Sequence, residues 1–288
     1  MIPPPFDYHA PRSIGEAIGL LSQLGEEAKL LAGGHSLLPM MKLRIAQPGA
    51  LIDLNRIADL RGIREQGGRI RIGAMTTEND LMTSKLLQER VPLLPEAARQ
   101  IADPQVRNRG TIGGDIAHGD PANDHPAIAM ALDATFVLQG PAGERQIEAV
   151  DFFRGTFETA LGANEILTAI LIKPFEQGTG YAYQKLKRKT GDWATAAAAV
   201  VLRMQRGKVA DIRIGLTNVA PTAVRARAAE AALAGQPLTD VAIGRAADIV
   251  RGLCDPAEDL RGDVEYKTAM AAEMTTRAIR DAAARCAS

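Results

Sequence analysis

The chain has 288 residues, which is enough for two or three domains with cores of their own rather than one small domain. Its 34 basic and 34 acidic residues balance, so no excess of positive charge points to a nucleic acid or another polyanion as partner. Hydrophobic residues make up 46% of the chain, which excludes a disordered polypeptide. A small ligand or a protein partner fits this composition better.

Two cysteines, Cys254 and Cys286, are too few for a disulfide framework, a zinc site or an iron–sulfur cluster. Any redox chemistry must therefore use a bound cofactor. The amino-terminal segment lacks a basic region followed by an apolar one, and the longest apolar run, residues 193–202, is about half as long as a membrane span. These features predict a soluble cytoplasmic protein.

The first 54 residues predict helices and strands around a pair of glycines. Apolar spacing predicts a helix from Ser13 to Leu24, with Ser13 and Glu16 as its capping box. A strand over residues 29–32 runs into Gly33 and Gly34, and a short helix over residues 37–43 and a strand over residues 50–54 follow. This order predicts a strand, a glycine turn and the start of a helix.

Two hairpins and one irregular segment are predicted in the next part of the chain. The hairpins pair residues 63–65 with 69–73 and residues 134–138 with 145–148. One helix is predicted to begin after Thr76 or Thr77, and a second helix covers residues 93–101. A buried strand covers residues 165–172. Residues 102–125 have little periodicity and many Gly, Asp, Asn and Pro residues, and a long irregular segment inside a compact domain is usually functional.

The carboxy-terminal part predicts an α+β domain, because its strands come first and its helices afterwards. The predicted strands cover residues 181–187, 193–204 and 209–217, and the predicted helices cover residues 223–234, 241–253 and 264–284. Residues 176–180 are the best linker candidate. We therefore predict a first domain over residues 1–177, divided into subdomains of about 1–53 and 54–177, and a second domain over residues 178–288.

Two segments carry paired glycines beside a short hydroxyl residue: residues 32–36, AGGHS, and residues 111–115, TIGGD. A glycine pair lets the main chain turn sharply and bring its N–H groups against an anion, and a diphosphate is the natural ligand for two such loops. Neither segment has the pattern of a P-loop or of a Rossmann turn. Paired glycines are also common in simple tight turns, and the residues alone leave both interpretations open.

These two motifs resemble those of the FAD-binding subunits of molybdenum hydroxylases, the xanthine dehydrogenase superfamily. Residues 105–108, QVRN, before the second motif and residues 123–126, NDHP, after it extend the resemblance, which covers essentially the whole chain. Within the superfamily it is greatest to the medium, flavoprotein subunits of aerobic carbon monoxide dehydrogenases. The resemblance implies an α+β fold, with a two-part FAD-binding domain that carries two double-glycine loops and a C-terminal domain of a three-stranded antiparallel sheet and helices.

The resemblance also implies the residues of a non-covalent FAD site. Residues 32–37 would wrap the pyrophosphate, residues of the second motif would line the ribityl and phosphate groups, and an apolar group would pack around the adenine or the flavin. Asp124 would accept hydrogen bonds from cofactor hydroxyls, Lys185 would lie close to the cofactor, and Trp193 would lie beside the isoalloxazine. The full set is Ala32, Gly33, Gly34, His35, Ser36, Leu37, Ile101, Ala102, Val106, Gly110, Thr111, Gly113, Gly114, Asp115, Asp124, Leu167, Lys185 and Trp193.

Several of these residues have a simpler structural interpretation. Many relatives carry Asn where this chain has Asp115, and a carboxylate beside a diphosphate suffers repulsion unless it faces a hydroxyl or is protonated. His35 is interpreted as a residue that shapes the loop. Trp193 is equally well explained as a core or interface residue, and Lys185 lies in a basic run that is typical of a solvated face.

The implied function is electron transfer. The resemblance implies that the chain takes electrons from the 2Fe-2S clusters of a small partner subunit and passes them to a quinone or other acceptor, while substrate is oxidised on a large subunit that holds the molybdenum cofactor. No side chain of this chain would then be catalytic, and no metal is expected on it. The implied assembly is a dimer of heterotrimers, with peripheral association at the inner face of the membrane.

Three alternatives remain open at this stage. The first is the FAD subunit of another molybdenum hydroxylase that acts on an aromatic heterocycle, an aldehyde or a thioester. The second is a self-contained FAD oxidase, against which the lack of an obvious substrate-binding cap domain counts. The third is a non-catalytic nucleotide-binding protein, which a flavin absorbance spectrum would distinguish from the others.

Overall fold

The computed structural model describes residues 2–286. Residue 1 and residues 287–288, the outer ends of the two predicted domain ranges, lie outside the described residues. None of the helices formed by residues 2–286 is both long and apolar enough to cross a membrane.

A small parallel sheet forms the amino-terminal part. Its strands lie in the order β1-β3-β2, and two helices connect them. Helix α1 buries Ala17, Ile18 and Leu21 against the sheet, and the Ser13 side chain caps it. The predicted capping box is incomplete, because the Glu16 carboxylate accepts from the N–H of Arg12 rather than from that of Ser13. The elements are β1 (Asp7–His9), α1 (Ile14–Leu24), β2 (Ala28–Leu31), α2 (Leu37–Lys42) and β3 (Ala50–Asp53).

A five-stranded antiparallel sheet follows, in the order β4-β5-β10-β6-β7. Both predicted hairpins are confirmed, and Thr77 forms the capping box of the helix after the first one. The strands are β4 (Ile63–Gln66), β5 (Arg69–Gly73), β6 (Thr135–Gly140), β7 (Gly143–Glu148), β10 (Ile166–Ile172) and the separate pair β8 (Phe153–Gly155) and β9 (Glu158–Thr159). The helices are α3 (Glu78–Thr83), α4 (Lys85–Arg90), α5 (Leu93–Ala98), α6 (Pro104–Arg107), α7 (Ile112–His118) and α8 (Asp124–Ala131).

The segment from residue 102 to residue 125 is more regular than predicted. It contains α6 and α7 and ends in the first turn of α8. The Asp103 side chain caps α6, whose first residue is Pro104, and the Thr111 side chain caps α7. The glycines in the first turn of α7 and the short length of both helices conceal the 3.6-residue period on which the sequence prediction depends.

The carboxy-terminal sheet has four strands rather than the three predicted, in the order β11-β12-β13-β14. The additional strand, β14, has only two residues, paired with Gly215 and Leu216, and is too short to produce an alternating pattern. Helices α10 and α11 lie on one another, and α11 packs along β11 and β12. The elements are β11 (Thr179–Leu186), β12 (Ala196–Gln205), β13 (Lys208–Thr217), β14 (Val224–Arg225), α9 (Arg227–Leu233), α10 (Asp240–Leu253) and α11 (Val264–Cys286).

Close main-chain contact joins this sheet to the rest of the chain. A Cβ added at Gly215 on β13 would lie 2.0 Å from the main-chain oxygen of Ala127 on α8, so only glycine allows this approach. Helix α8 is buried along its whole length, because it lies between the carboxy-terminal sheet and the apolar core of the five-stranded sheet. Residues at the start of α8 are therefore held beside β11.

Candidate functional site

The first glycine loop, residues 32–36, connects β2 to α2. Gly34 has a φ of +79°, a conformation that residues with a side chain rarely adopt. A Cβ added at Gly33 would lie 2.4 Å from the main-chain oxygen of Arg109 and 2.9 Å from the Cα of Gly110. The two glycines therefore serve different purposes: Gly34 allows the turn, and Gly33 allows another segment of main chain to pass close by.

Three main-chain N–H groups of this loop are free. Those of Gly34, His35 and Ser36 donate to no residue within the described part of the chain, and the Ser36 side chain does not cap α2. The His35 ring lies back on the loop, with its Nδ1 at 3.0 Å from the Gly33 oxygen, which fits the shaping role expected from the sequence. Neighbouring free N–H groups on a turning main chain are a typical binding arrangement for phosphate oxygens.

The second glycine motif forms the first turn of α7, and its N–H groups are already occupied. The N–H of Gly113 donates to the Ala74 oxygen at 2.9 Å, and that of Gly114 donates to the Thr111 hydroxyl at 3.2 Å. A Cβ at Gly113 would lie 2.6 Å from the Ala74 oxygen. The expectation that both motifs offer main-chain N–H groups to an anion is therefore wrong for Gly113 and Gly114, which instead pack α7 against the end of β5.

The structure brings the two motifs into contact although about 80 residues separate them in the sequence. Besides the approach of Gly33 to Gly110, a Cβ at Gly114 would lie 3.4 Å from the Cβ of Ala32. The side-chain amide of Asn55 holds the first loop from behind by donating to the Ala32 oxygen at 3.0 Å. Together the two segments form one continuous surface.

The polar residues behind the first loop are not predictable from the sequence alone. The Tyr8 hydroxyl donates to Asp53 at 2.5 Å, and the Asn55 main-chain N–H donates to the other oxygen of the same carboxylate at 2.9 Å. Burial opposes ionisation of Asp53, but these hydrogen bonds outweigh it and hold the pKa of Asp53 below its usual value. The tyrosine of the amino-terminal strand thereby fixes the loop that follows β2.

The apolar residues predicted around the cofactor fall into two groups. Ile101 and Ala102 form a bend, with Ala102 at a φ of +46°, and Arg107 donates to both of their main-chain oxygens. Val106 on α6 lies at the next turn, and its oxygen accepts from the N–H of Gly110. Leu167, by contrast, lies on β10 and is buried within the core of the five-stranded sheet.

Trp193 lies on the loop between β11 and β12, which passes beside Ala102. A Cβ added at Gly191 of this loop would lie 3.8 Å from Ala102 main-chain and Asp103 side-chain atoms. The Trp193 side chain is half exposed, and the Arg261 guanidinium lies 5.4 Å from its ring centroid. The structure thus places this ring on the surface, near the bend at residues 101–102.

Ion pairs fix the loop that carries Trp193. The Asp192 carboxylate accepts from Arg188 at 3.1 Å and from Arg261 at 2.8 Å. Arg261 is in turn held by Asp259, which also accepts from the buried Lys267 ammonium at 3.0 Å. Because Lys267 lies on α11, this chain of charges connects the surface loop to the last helix.

The predicted residues Asp124 and Lys185 form a buried ion pair. The Lys185 ammonium lies 2.7 Å from an Asp124 oxygen, and only 1% of the Lys185 side chain is exposed. The Tyr183 hydroxyl donates to the other Asp124 oxygen. The basic run 185–189 is therefore not one uniformly solvated face, because Lys185, which the resemblance assigns to the site, points inward.

A second buried pair, which sequence analysis missed, lies beside the first. The His125 Nε2 donates to the Glu78 carboxylate, with both oxygens at 2.9 Å, and both side chains are almost fully buried. Burial by itself would lower the pKa of His125, but the negative charge of Glu78, assisted by Asp115 and Asp124, raises it to about 9. A buried histidine next to Asp124 and an acidic residue in the first turn of α3 give no sequence signal of this contact.

Two family models match most of the chain. A family model described as the FAD binding domain in molybdopterin dehydrogenase matches residues 4–174, and one described as the CO dehydrogenase flavoprotein C-terminal domain matches residues 181–282. The chain is 62% identical to the carbon monoxide dehydrogenase medium chain of Hydrogenophaga pseudoflava, with 100% of each covered. It is 50% identical to the medium chain of Afipia carboxidovorans, with 99% of each covered.

Solved structures give the same result. A chain of carbon monoxide dehydrogenase from Hydrogenophaga pseudoflava superposes with a TM-score of 0.99 at 65% identity, covering 99% of this chain and 100% of that one. A chain of quinoline 2-oxidoreductase from Pseudomonas putida 86 superposes with a TM-score of 0.94 at 33% identity, with 99% of this chain covered. The chain therefore belongs to the family of FAD-binding subunits of molybdopterin dehydrogenases, together with the carbon monoxide dehydrogenase medium chains.

Proposed function

We propose that this chain is the flavoprotein subunit of a carbon monoxide dehydrogenase complex and holds the FAD through which electrons leave the complex. The observation that carries this proposal is the first glycine loop, with three free N–H groups beside its contact with the second motif, in a chain that matches carbon monoxide dehydrogenase medium chains over its full length. When bound, FAD exchanges electrons singly or in pairs, which links one-electron carriers to a two-electron acceptor.

The residues around the first loop fit a dinucleotide. The N–H groups of Gly34, His35 and Ser36 would bind the diphosphate, and the absence of a Cβ at Gly33 and Gly34 keeps the main chain accessible. Thr111 can still donate through its hydroxyl, because the Gly114 N–H uses it only as an acceptor. Ala32, Leu37, Gly110, Gly113, Gly114 and Asp115 would complete the walls around the phosphates.

The remaining predicted residues would contact the rings of the cofactor. Ile101, Ala102 and Val106 lie together beside the Trp193 loop and would hold the adenine or the flavin. Leu167 would act from the core of the five-stranded sheet, and Asp124 and Lys185 would act from the buried pair. We further propose a division at residues 177 and 178, since the two family matches end and begin on either side of that point.

The proposed partners follow from the relatives. The medium chain is one component of a multi-subunit carbon monoxide dehydrogenase in those organisms. For this chain we propose a small subunit with 2Fe-2S clusters and a large subunit with the molybdenum cofactor, in a dimer of heterotrimers. The assembly would act in the cytoplasm, associate peripherally with the inner face of the membrane, and pass electrons to a quinone or other acceptor.

Carbon monoxide is favoured over other substrates of the family by the degree of similarity. Identity is 62% to one carbon monoxide dehydrogenase medium chain, but 36% to the nicotine 6-hydroxylase medium subunit of Paenarthrobacter nicotinovorans. The substrate site would lie on the large subunit, so no residue of this chain tests the choice directly.

Purification of the complex from its native host through an affinity tag on this chain tests the proposed function. We expect two further subunits to co-elute, the sample to show the absorbance of an oxidised flavin, and carbon monoxide to bleach that absorbance. A flavin that an aromatic heterocycle or an aldehyde bleaches while carbon monoxide does not would replace the proposed substrate. A preparation without flavin would overturn the FAD assignment itself.

Gly34→Val tests the role of the first loop. A β-branched side chain at a φ of +79° disfavours this turn and crowds the free N–H groups, so we expect flavin content to fall at least about tenfold, which corresponds to a loss of about 1.4 kcal/mol. The measurement is the ratio of flavin to protein in the purified complex.

The matched control for Gly34→Val is Gly25→Val. Gly25 also has a positive φ, +58°, but nothing lies within 4 Å of its Cβ position, and it is outside both motifs. We expect the control to retain flavin despite a similar backbone strain. Equal flavin content in the two variants would show that the first loop does not hold the cofactor.

Asp124→Asn tests whether the buried pair is structural. The change leaves the Lys185 ammonium buried without its counter-charge, so we expect a loss of about 3–5 kcal/mol in the free energy of unfolding. Chemical denaturation of the full chain at pH 7 measures this. The double variant Asp124→Asn with Lys185→Met removes both charges, and we expect it to recover a large part of the loss. A single variant as stable as the wild type would show that the pair does not stabilise the fold.

A further inference from the structure

Five ionisable side chains lie together at the second glycine motif; four of them are buried, and Asp115, which belongs to the motif, is partly buried. Glu78 lies on α3, Asp115 on α7, Asp124 and His125 on α8, and Lys185 on β11. The Glu78, Asp124, His125 and Lys185 side chains are each more than nine-tenths buried. This group is called the buried charge cluster below.

The charges of the cluster do not balance. Glu78 pairs with His125 at 2.9 Å, and Asp124 pairs with Lys185 at 2.7 Å, so two carboxylates have a positive partner each. Asp115 is the third carboxyl group, and its Oδ2 is buried with no hydrogen-bond partner among the described residues. Negative charge on a carboxyl group with a buried, unpartnered oxygen is unfavourable, and protonation of the group removes that charge.

The charged groups around Asp115 also affect its pKa. Burial raises its pKa; His125 opposes that effect, and the negative charges of Glu78, Asp124 and Asp120 add to it, so the pKa reaches about 7. Tyr183 on β11 is the further titratable group nearby, and burial together with Asp124 raises its pKa well above the usual value, so it stays neutral. The cluster is electrically neutral when Asp115 carries a proton.

The position of Asp115 connects the cluster to the first loop. Asp115 directly follows Gly114, whose Cβ position is 3.4 Å from Ala32 at the start of that loop. A diphosphate bound to the loop would bring negative charge close to Asp115 and would favour its protonated form still more. By linkage, the protonated protein must then bind the dinucleotide more tightly than the ionised one.

We propose that Asp115 holds a proton and that FAD binding to this chain is coupled to proton uptake by Asp115, so that affinity for FAD falls as the pH rises above neutrality. This inference rests on the proposed function, because it concerns the FAD that the chain is proposed to hold. The protonated Asp115 side chain carries no negative charge and does not repel a diphosphate. Asp115 thereby acts as a positioning residue that keeps the second motif compatible with the cofactor.

Titration of the flavin-depleted complex with FAD between pH 6 and pH 8.5 tests the coupling. His125, with a pKa of about 9, stays largely charged over this interval, so Asp115 is the group of the cluster that titrates. For wild type we expect the dissociation constant to rise about tenfold across the interval, the change that corresponds to a one-unit shift in pKa on binding. For Asp115→Asn, which cannot ionise, we expect a constant value close to that of wild type at pH 6.

Asp151→Asn is the control, because Asp151 is an exposed acid outside the cluster and both motifs. We expect it to keep the wild-type pH dependence. Calorimetry at pH 7.5 in two buffers of different ionisation enthalpy gives a second readout: part of a proton taken up per FAD bound by wild type, and none by Asp115→Asn. Equal pH dependence in wild type and Asp115→Asn would overturn the coupling alone.

Thermal unfolding of the flavin-depleted complex distinguishes a failure of the proposed protonation of Asp115 from a failure of the proposed function. The pKa of Asp115 is raised on folding, so its ionisation destabilises the folded chain progressively between about pH 4 and pH 7. We expect Asp115→Asn to raise the Tm more at pH 8 than at pH 5. An unchanged Tm at both pH values would overturn the protonation of Asp115, whereas absence of FAD binding at every pH would overturn the proposed function.

Discussion

The close approach of Gly33 to the main chain at Arg109 and Gly110 is the constraint on which the site depends. A Cβ at Gly33 would lie 2.4 Å from the Arg109 oxygen, so no other residue type allows the two segments to meet in this way. This contact joins the small parallel sheet, which ends in the first loop, to the helices of the five-stranded sheet. The first motif alone is a loop and the second alone is the first turn of a helix. Together they form a surface whose free N–H groups belong to the first loop.

The two motifs contribute differently to that surface. The first loop has free hydrogen-bond donors. In the second motif the N–H groups of Gly113 and Gly114 donate to Ala74 and Thr111, so this motif contributes packing rather than donors. Asp115 of the second motif also belongs to the buried charge cluster, whose ion pairs hold α3, α8 and β11 together. Asp115 is therefore the residue at which the proposed cofactor site adjoins the charges that join α3, α8 and β11.

Much of the fold could be predicted from the sequence, because it depends on local patterns. The Ser13 cap, both hairpins, and the strand and helix on either side of the first glycine pair are local signals, and the structure has each of them. Helices α6 and α7 were not predicted, because both are short and α7 has two glycines in its first turn. The two-residue strand β14 was missed because its existence depends on β13, which is a non-local pairing.

The site was predictable in its motifs but not in its contacts. The glycine pairs are visible in the sequence, and the resemblance names Asp124 and Lys185, yet nothing local indicates that these two side chains pair with each other. Glu78 and His125 are 47 residues apart, and Tyr8 lies 45 residues from Asp53, so tertiary structure alone brings them together. The free N–H groups of the first loop were expected from its glycines, but the occupied ones of the second depend on Ala74.

A crystal structure of the flavin-loaded complex would show directly where the diphosphate binds. We expect diphosphate oxygens to lie within hydrogen-bonding distance, about 2.7–3.2 Å, of the N–H groups of Gly34, His35 and Ser36, with the second motif packed alongside. A diphosphate bound elsewhere, with the first loop and the second motif in contact but touching no part of the cofactor, would contradict this expectation.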